Sequence, residues 1–133
     1  MKTIILIITL TLLFSSSTCK KEGSDCHRAI IIKNNSAASI LPAFKISDIY
    51  GQCRLSGSII ETDSSYEDSR NTCWENWLFN GKTYELYIID PANYNVPLVF
   101  YDCDSITFKN TVLKHFILTL DELKQSNFTI TYP

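Results

Sequence analysis

Cysteine carries most of the reactive chemistry in this chain of 133 residues, which holds five of them. Cys19 ends a stretch in which Lys2 supplies positive charge, Ile4 to Phe14 form a run without charge, and Ser15-Ser16-Ser17-Thr18 bring small residues up to the thiol. That layout reads as an export leader, residues 1–18, cut in front of a cysteine whose sulfur takes a diacylglyceryl group. The apolar run falls short of the roughly 20 residues that cross a bilayer, so the mature chain is expected to begin at Cys19. An ordinary secretory leader cut nearby would instead leave Cys19 as a spare thiol. Cysteine arithmetic favours the lipid: setting Cys19 aside turns an odd count into the even set Cys26, Cys53, Cys73 and Cys103, enough for two disulfides in an oxidising compartment. Of the three connectivities open to four cysteines, Cys53–Cys73 with Cys26–Cys103 is preferred. In the chain-entropy model the first closes a loop of about 20 residues and contributes roughly 3 kcal/mol, and the second contributes over ~4.

His27 and His115 are the only side chains whose ordinary pKa suits a base near neutrality. Both fall in predicted strands, and neither has the spacing of a nucleophile–base pair. No catalytic residue is assigned, and the chain is read as a non-enzyme without a cofactor. Asp102-Cys103-Asp104 and the group Glu61, Asp63, Glu67, Asp68 could offer oxygen ligands to calcium, but they match no loop motif and read as solvated acids. Zinc is disfavoured because the cysteines should pair with one another. Trp74 and Trp77 could stack on a glycan, although their helical spacing with Leu78 points first to core packing. Loss of the leader removes Lys2 and leaves eleven basic against fourteen acidic side chains, a formal charge of −3. The basic residues are scattered, which leaves no electrostatic footprint for nucleic acid.

Two acyl chains, at about 0.8 kcal/mol per buried methylene, anchor a protein stably. The membrane is thus the first expected partner. Residues 19–25 form a polar tether that reaches roughly 20 Å when extended. The remaining 108 residues, 26–133, suit one domain.

The elements of that domain are short. Ala29 to Ile32 reads as a strand closed by the turn-forming Lys33-Asn34-Asn35-Ser36. Ser39 to Phe44 reads as a strand confined to an edge by Pro42, and Ser56 to Glu61 as a weaker third. Thr62 to Ser69 has no apolar period and reads as a loop. Thr72 and Glu75 have capping-box spacing, opening a helix that stops at Asn80-Gly81. Tyr84 to Asp90 alternates as a strand, followed by Val96 to Tyr101 and Val112 to Leu118. Thr119-Leu120-Asp121-Glu122 is a second capping box, and a last strand places Phe128, Ile130 and Tyr132 on one face. Six or seven such strands with brief helices imply a two-layer antiparallel β-sandwich or small barrel with one or two short helices.

Lys20 in place of Asp after Cys19, and the pair Lys21-Glu22, resemble the sorting signals that send bacterial lipoproteins to the outer membrane and, in the Bacteroidota, to the cell surface. Lys33-Asn34-Asn35-Ser36, Tyr87-Ile88-Ile89-Asp90 and the closing Leu118-Thr119-Leu120-Asp121-Glu122-Leu123 with Ile130-Thr131-Tyr132-Pro133 resemble a group of small uncharacterised Bacteroidota lipoproteins. Asp104-Ser105-Ile106 is similar to the pattern at which exported proteins of that phylum are O-glycosylated, which marks Ser105. The function expected is a membrane-anchored, non-catalytic module of the envelope or cell surface that binds a protein or glycan. The alternative is a small hydrolase or an accessory subunit of a glycan-uptake system.

Overall fold

The computed structural model describes residues 25–45, 51–94 and 100–133. The leader, Cys19 with all of its tether but Asp25, and most of the strand expected from Val96 lie outside the described residues. In chain order the elements are β1 (Ala29–Asn34), β2 (Leu41–Lys45), β3 (Gln52–Leu55), β4 (Ser65–Ser69), α1 (Trp74–Trp77), a 3-10 turn (Phe79–Gly81), β5 (Tyr84–Ile89), a 3-10 turn (Pro91–Asn93), β6 (Phe100–Asp102), α2 (Ile106–Lys109), β7 (Val112–Leu118), α3 (Leu120–Gln125) and β8 (Thr129–Tyr132). They form a β-sandwich. One sheet has the order β4-β1-β8 and the other β6-β3-β2-β5-β7. All described pairings are antiparallel except β1 with β8, which run parallel.

Alternation along each strand explains where the cores lie. Ile30 and Ile32 of β1, Ile130 of β8, Phe44 of β2 and Leu86 and Ile88 of β5 meet between the sheets, with Trp74 and Leu123 sealing the layer from α1 and α3. The opposite face of the larger sheet is also covered: Leu41, Ala43, Leu55 and Ile89 pack beneath Phe108 of α2. Asn34 is wholly buried at the end of β1. Its amide donates to the carbonyls of Ala38 at 2.8 Å and Ile60 at 3.0 Å, and its Oδ1 accepts from the Ser36 N–H at 3.0 Å and hydroxyl at 2.6 Å. This fully satisfied side chain builds the turn after β1.

Four expectations need correction. Pro42 lies in the middle strand of the five, not at an edge. The Pro42 carbonyl accepts from the Ser56 N–H at 2.9 Å, so its missing donor would have faced Ser56, one residue past the end of β3; a ladder loses nothing where it has already stopped. The third strand comes earlier, over Gln52–Leu55, because Gly57 turns the chain with φ 76° and only Ile60 returns to bridge Ile40. Ser65–Ser69 is an edge strand and not a loop: Tyr66 and Asp68 face inward while Ser65, Glu67 and Ser69 face water and are polar by position. The disulfides are Cys26–Cys73 and Cys53–Cys103, with Cα separations of 4.9 and 5.4 Å. The preferred pairing of Cys53 with Cys73 and Cys26 with Cys103 gives way to the one the sheet decides: β3 pairs with β6, and the Cys103 N–H donates to the Gly51 carbonyl at 2.7 Å. Cys73 meets Cys26 because the Trp74 N–H donates to the His27 carbonyl at 2.7 Å. Two disulfides fit an oxidising, exported environment. Among the described residues no helix is long and apolar enough to cross a membrane.

Candidate functional site

The most exposed large apolar side chain among the described residues is Phe79, at 67 %. Leu78 before it is buried, and Asn80 and Gly81 after it take left-handed conformations with φ 65° and 77°. Glycine and asparagine adopt that conformation with least strain, so the turn drops Leu78 into the core and leaves Phe79 on the rim. Across from it stands the start of α3. Thr119 caps that helix: its hydroxyl accepts from the Glu122 N–H at 3.3 Å, and the Glu122 carboxylate accepts from the Thr119 N–H at 2.8 Å. The Thr119 N–H and hydroxyl hold the Glu122 carboxyl below its ordinary pKa. Between the two segments runs a groove of about 310 Å³ that brings together Phe79, Asn80, Lys82, Leu120 and Asp121. Its size is at the lower end for small-ligand clefts. It offers an aromatic surface, one cation and one carboxylate.

Trp74 and Trp77 lie just before this groove in the chain, but they play another part. Trp74 is completely buried, edge-on to Trp77 at 5.7 Å and to Tyr84 at 5.2 Å between ring centroids. Trp74 therefore cannot stack on a glycan; it is core. The Arg70 guanidinium lies over both indoles, 4.4 Å from Trp74 and 4.1 Å from Trp77, and Lys82 Nζ is 5.7 Å from Trp77. Trp77 is half-buried, and the most exposed aromatic among the described residues is Phe79, which sequence reasoning passed over although Asn80-Gly81 beside it was read as a helix stop.

No family model, curated protein or solved structure matches this chain.

The capping box expected at Thr72 and Glu75 does not form. Cys73 occupies the cap position without a side-chain hydrogen bond. The Cys26–Cys73 bridge brings His27 close, and Glu75 turns to it, accepting from the His27 N–H at 3.0 and 3.2 Å and meeting ring Nδ1 at 2.5 Å. Burial raises the Glu75 carboxyl, but these hydrogen bonds outweigh it and the pKa is lowered. His27 also stacks on Phe128 at 4.0 Å and sits just ahead of β1 and not within it. His115 stacks on Tyr87 at 4.0 Å, and its Nε2 lies 3.5 Å from Glu85. Desolvation and the Glu85 charge push the Tyr87 hydroxyl up to about 12.

The acids expected to be solvated divide in two. Asp68 is 5 % exposed, accepts from the Tyr84 hydroxyl at 3.0 Å and lies 3.4 Å from Arg54. Desolvation raises its pKa, against the hydrogen bond from Tyr84 and the charge of Arg54. The alternation of Tyr66 and Asp68 was the available signal for this inward carboxylate. Glu61, Asp63 and Glu67 stay exposed. The Asp102 carboxylate accepts from the Asp104 N–H at 2.9 Å, which folds the segment back on itself. Among the described residues no group of three potential ligands could hold a metal ion. The Ser105 hydroxyl donates to the Asp102 carbonyl at 2.9 Å and accepts from the Phe108 N–H at 3.2 Å, so it already serves the start of α2.

Proposed function

We propose that this chain is an exported lipoprotein, anchored through Cys19 to the outer membrane and exposed toward the cell surface, whose domain binds a glycan in the groove beside Phe79. The observation that carries the reading is the exposed Phe79 face, held by a left-handed turn beside Asn80, Lys82 and Asp121. The electron-rich face of an aromatic ring attracts the C–H face of a pyranose, while a carboxylate and an amide beside it can fix the hydroxyl groups. Pairing of the four other cysteines with one another supports the anchor, since none of them calls on Cys19.

Both halves have direct tests. A clickable fatty acid fed to cells should label the wild type and not Cys19→Ala; equal labelling of both refutes the anchor. On a glycan array, the exported protein should retain a defined class of oligosaccharide that Phe79→Ala and Asp121→Ala each lose while melting at the wild-type temperature. An array without a hit, or a hit untouched by both substitutions, refutes the groove.

A further inference from the structure

The two disulfides join residues 47 and 50 apart in the chain, so loop closure stabilises both alike. Their surroundings differ. Cys53 and Cys103 are 0 % and 2 % exposed and pack with Leu41, Ala43, Leu55, Ile89 and Phe108 on the covered outer face of the larger sheet. Cys26 and Cys73 are partly exposed. A disulfide exchanges only where an attacking thiolate can reach one of its sulfurs, so access separates the two bridges. The backbone around Cys26–Cys73 is also held independently of the bond. The Trp74 N–H donates to the His27 carbonyl at 2.7 Å, and the Arg70 N–H donates to the Arg28 carbonyl at 2.9 Å. Glu75 accepts from the His27 N–H at 3.0 and 3.2 Å and meets the imidazole as well, while that ring lies flat on Phe128 at 4.0 Å. These contacts tie the residue after Cys26 to the two residues after Cys73, and none of them needs the sulfurs to be joined.

We propose that Cys26–Cys73 is a thiol–disulfide exchange site, opened and re-closed by a protein dithiol without unfolding of the domain, while Cys53–Cys103 is a fixed structural bridge. One thiolate of the dithiol attacks a sulfur of the Cys26–Cys73 bond. That bond breaks, a mixed disulfide forms, and the other cysteine leaves as a thiolate that takes up a proton. The second thiolate of the dithiol then attacks its own neighbour's sulfur in the mixed disulfide and releases the remaining cysteine. Two electrons have passed to this chain and the dithiol ends as a disulfide; the reverse sequence, with an oxidised carrier, restores the bond. The hold of Trp74 and Glu75 on His27 keeps the two thiols within reach of each other, which makes re-closure a step between groups already in place. The same contacts select a dithiol over a single thiol. Against a single thiol, the freed cysteine stands beside the mixed disulfide and expels the newcomer, whereas a dithiol resolves it by its own second sulfur.

The test uses the exported full chain with both disulfides formed. It is treated with dithiothreitol under native conditions, quenched with iodoacetamide at intervals and mapped by peptide mass. Alkylation should reach Cys26 and Cys73 about tenfold faster, or more, than Cys53 and Cys103, whose own rate reports opening through global unfolding. Mercaptoethanol at equal thiol concentration should open the bridge several-fold less. Once the dithiol is removed, oxidised glutathione should restore Cys26–Cys73, and in Glu75→Ala it should do so several-fold more slowly with Cys53–Cys103 still closed. Equal labelling of all four cysteines overturns the proposal, as does a Cys26–Cys73 bond that stays closed until the domain unfolds. Re-closure as fast in Glu75→Ala as in the wild type overturns the part given to the hold on His27.

Discussion

Replacing Phe128 by glycine should cost no more stability than replacing it by alanine, against the usual order. Phe128 is 2 % exposed in the core between the sheets, so removing its ring costs about 3–5 kcal/mol in either variant. The backbone separates the two. Asn127 and Phe128 follow α3 with φ 50° and 52°, and their N–H groups donate to Lys124 at 3.1 Å and Leu123 at 2.7 Å, the reciprocal pair of a Schellman cap. Leu123 and Phe128 share the core, the apolar contact that accompanies such a cap. The same turn aims the Phe128 carbonyl at the Ile31 N–H, 2.9 Å away, where pairing of β8 with β1 begins. A left-handed residue with a Cβ costs about 1–2 kcal/mol. Alanine keeps that strain and glycine releases it, less roughly 0.4–1 kcal/mol for the greater freedom of its unfolded chain and about 0.8 kcal/mol for the buried Cβ that alanine retains. Phe128→Gly should therefore come within about 0.5 kcal/mol of Phe128→Ala, without the roughly 0.5–1 kcal/mol that glycine ordinarily costs relative to alanine in addition to the lost Cβ contact. Urea unfolding of the exported protein with its disulfides formed gives both values, provided the slope with denaturant is shared. Glycine falling below alanine by its ordinary margin would refute the left-handed turn. A neutral Phe128→Ala would refute the burial itself.

Asn34→Asp should cost about 3 kcal/mol or more, because a carboxylate would face the carbonyls of Ala38 and Ile60 that the amide now satisfies; stability like that of wild type would show the side chain to be exposed. Thr119→Ala should cost about 1 kcal/mol through the lost cap, and a change under ~0.3 would remove the capping box. The raised Asp68 pKa gives a signed pH effect: the folded state holds that proton more tightly than the unfolded state, so this group's favourable contribution is complete below the ordinary Asp value and is lost as pH rises through the folded value. Asp68→Asn should therefore gain stability relative to wild type between pH 3 and pH 7; melts that run parallel, or diverge the other way, contradict a desolvated carboxylate. Non-reducing peptide mapping should recover Cys26 with Cys73 and Cys53 with Cys103. Any peptide joining Cys53 to Cys73 contradicts the pairing of β3 with β6.

What could be read in the sequence was local, and what could not was decided by partners far along the chain. Ile30 and Ile32, Leu86 and Ile88, and the Thr119 cap carry their burial or hydrogen bonding in patterns a few residues long, and each takes the expected place. Ser65–Ser69 carries no such pattern, since an edge strand over one core needs only alternate residues inward, and here those are a tyrosine and a carboxylate held by Tyr84 and Arg54. Glu75 had the spacing for a local cap, yet a bridge spanning 47 residues supplied His27 as a better partner. The same competition explains the cysteines. Loop closure favours the nearest pair only weakly, because its cost grows with the logarithm of length, whereas a sheet fixes Cα separations to within the narrow range a disulfide tolerates. The candidate groove follows the same rule: Asn80-Gly81 marks a turn, but only the arrival of α3 from forty residues downstream gives Phe79 an opposite wall. A ligand site built this way depends on the fold more than on its own residues. Thr119→Ala, by loosening α3, should therefore weaken binding at the groove in proportion to the helix stability it removes, and Asp121→Ala should weaken binding with stability unchanged.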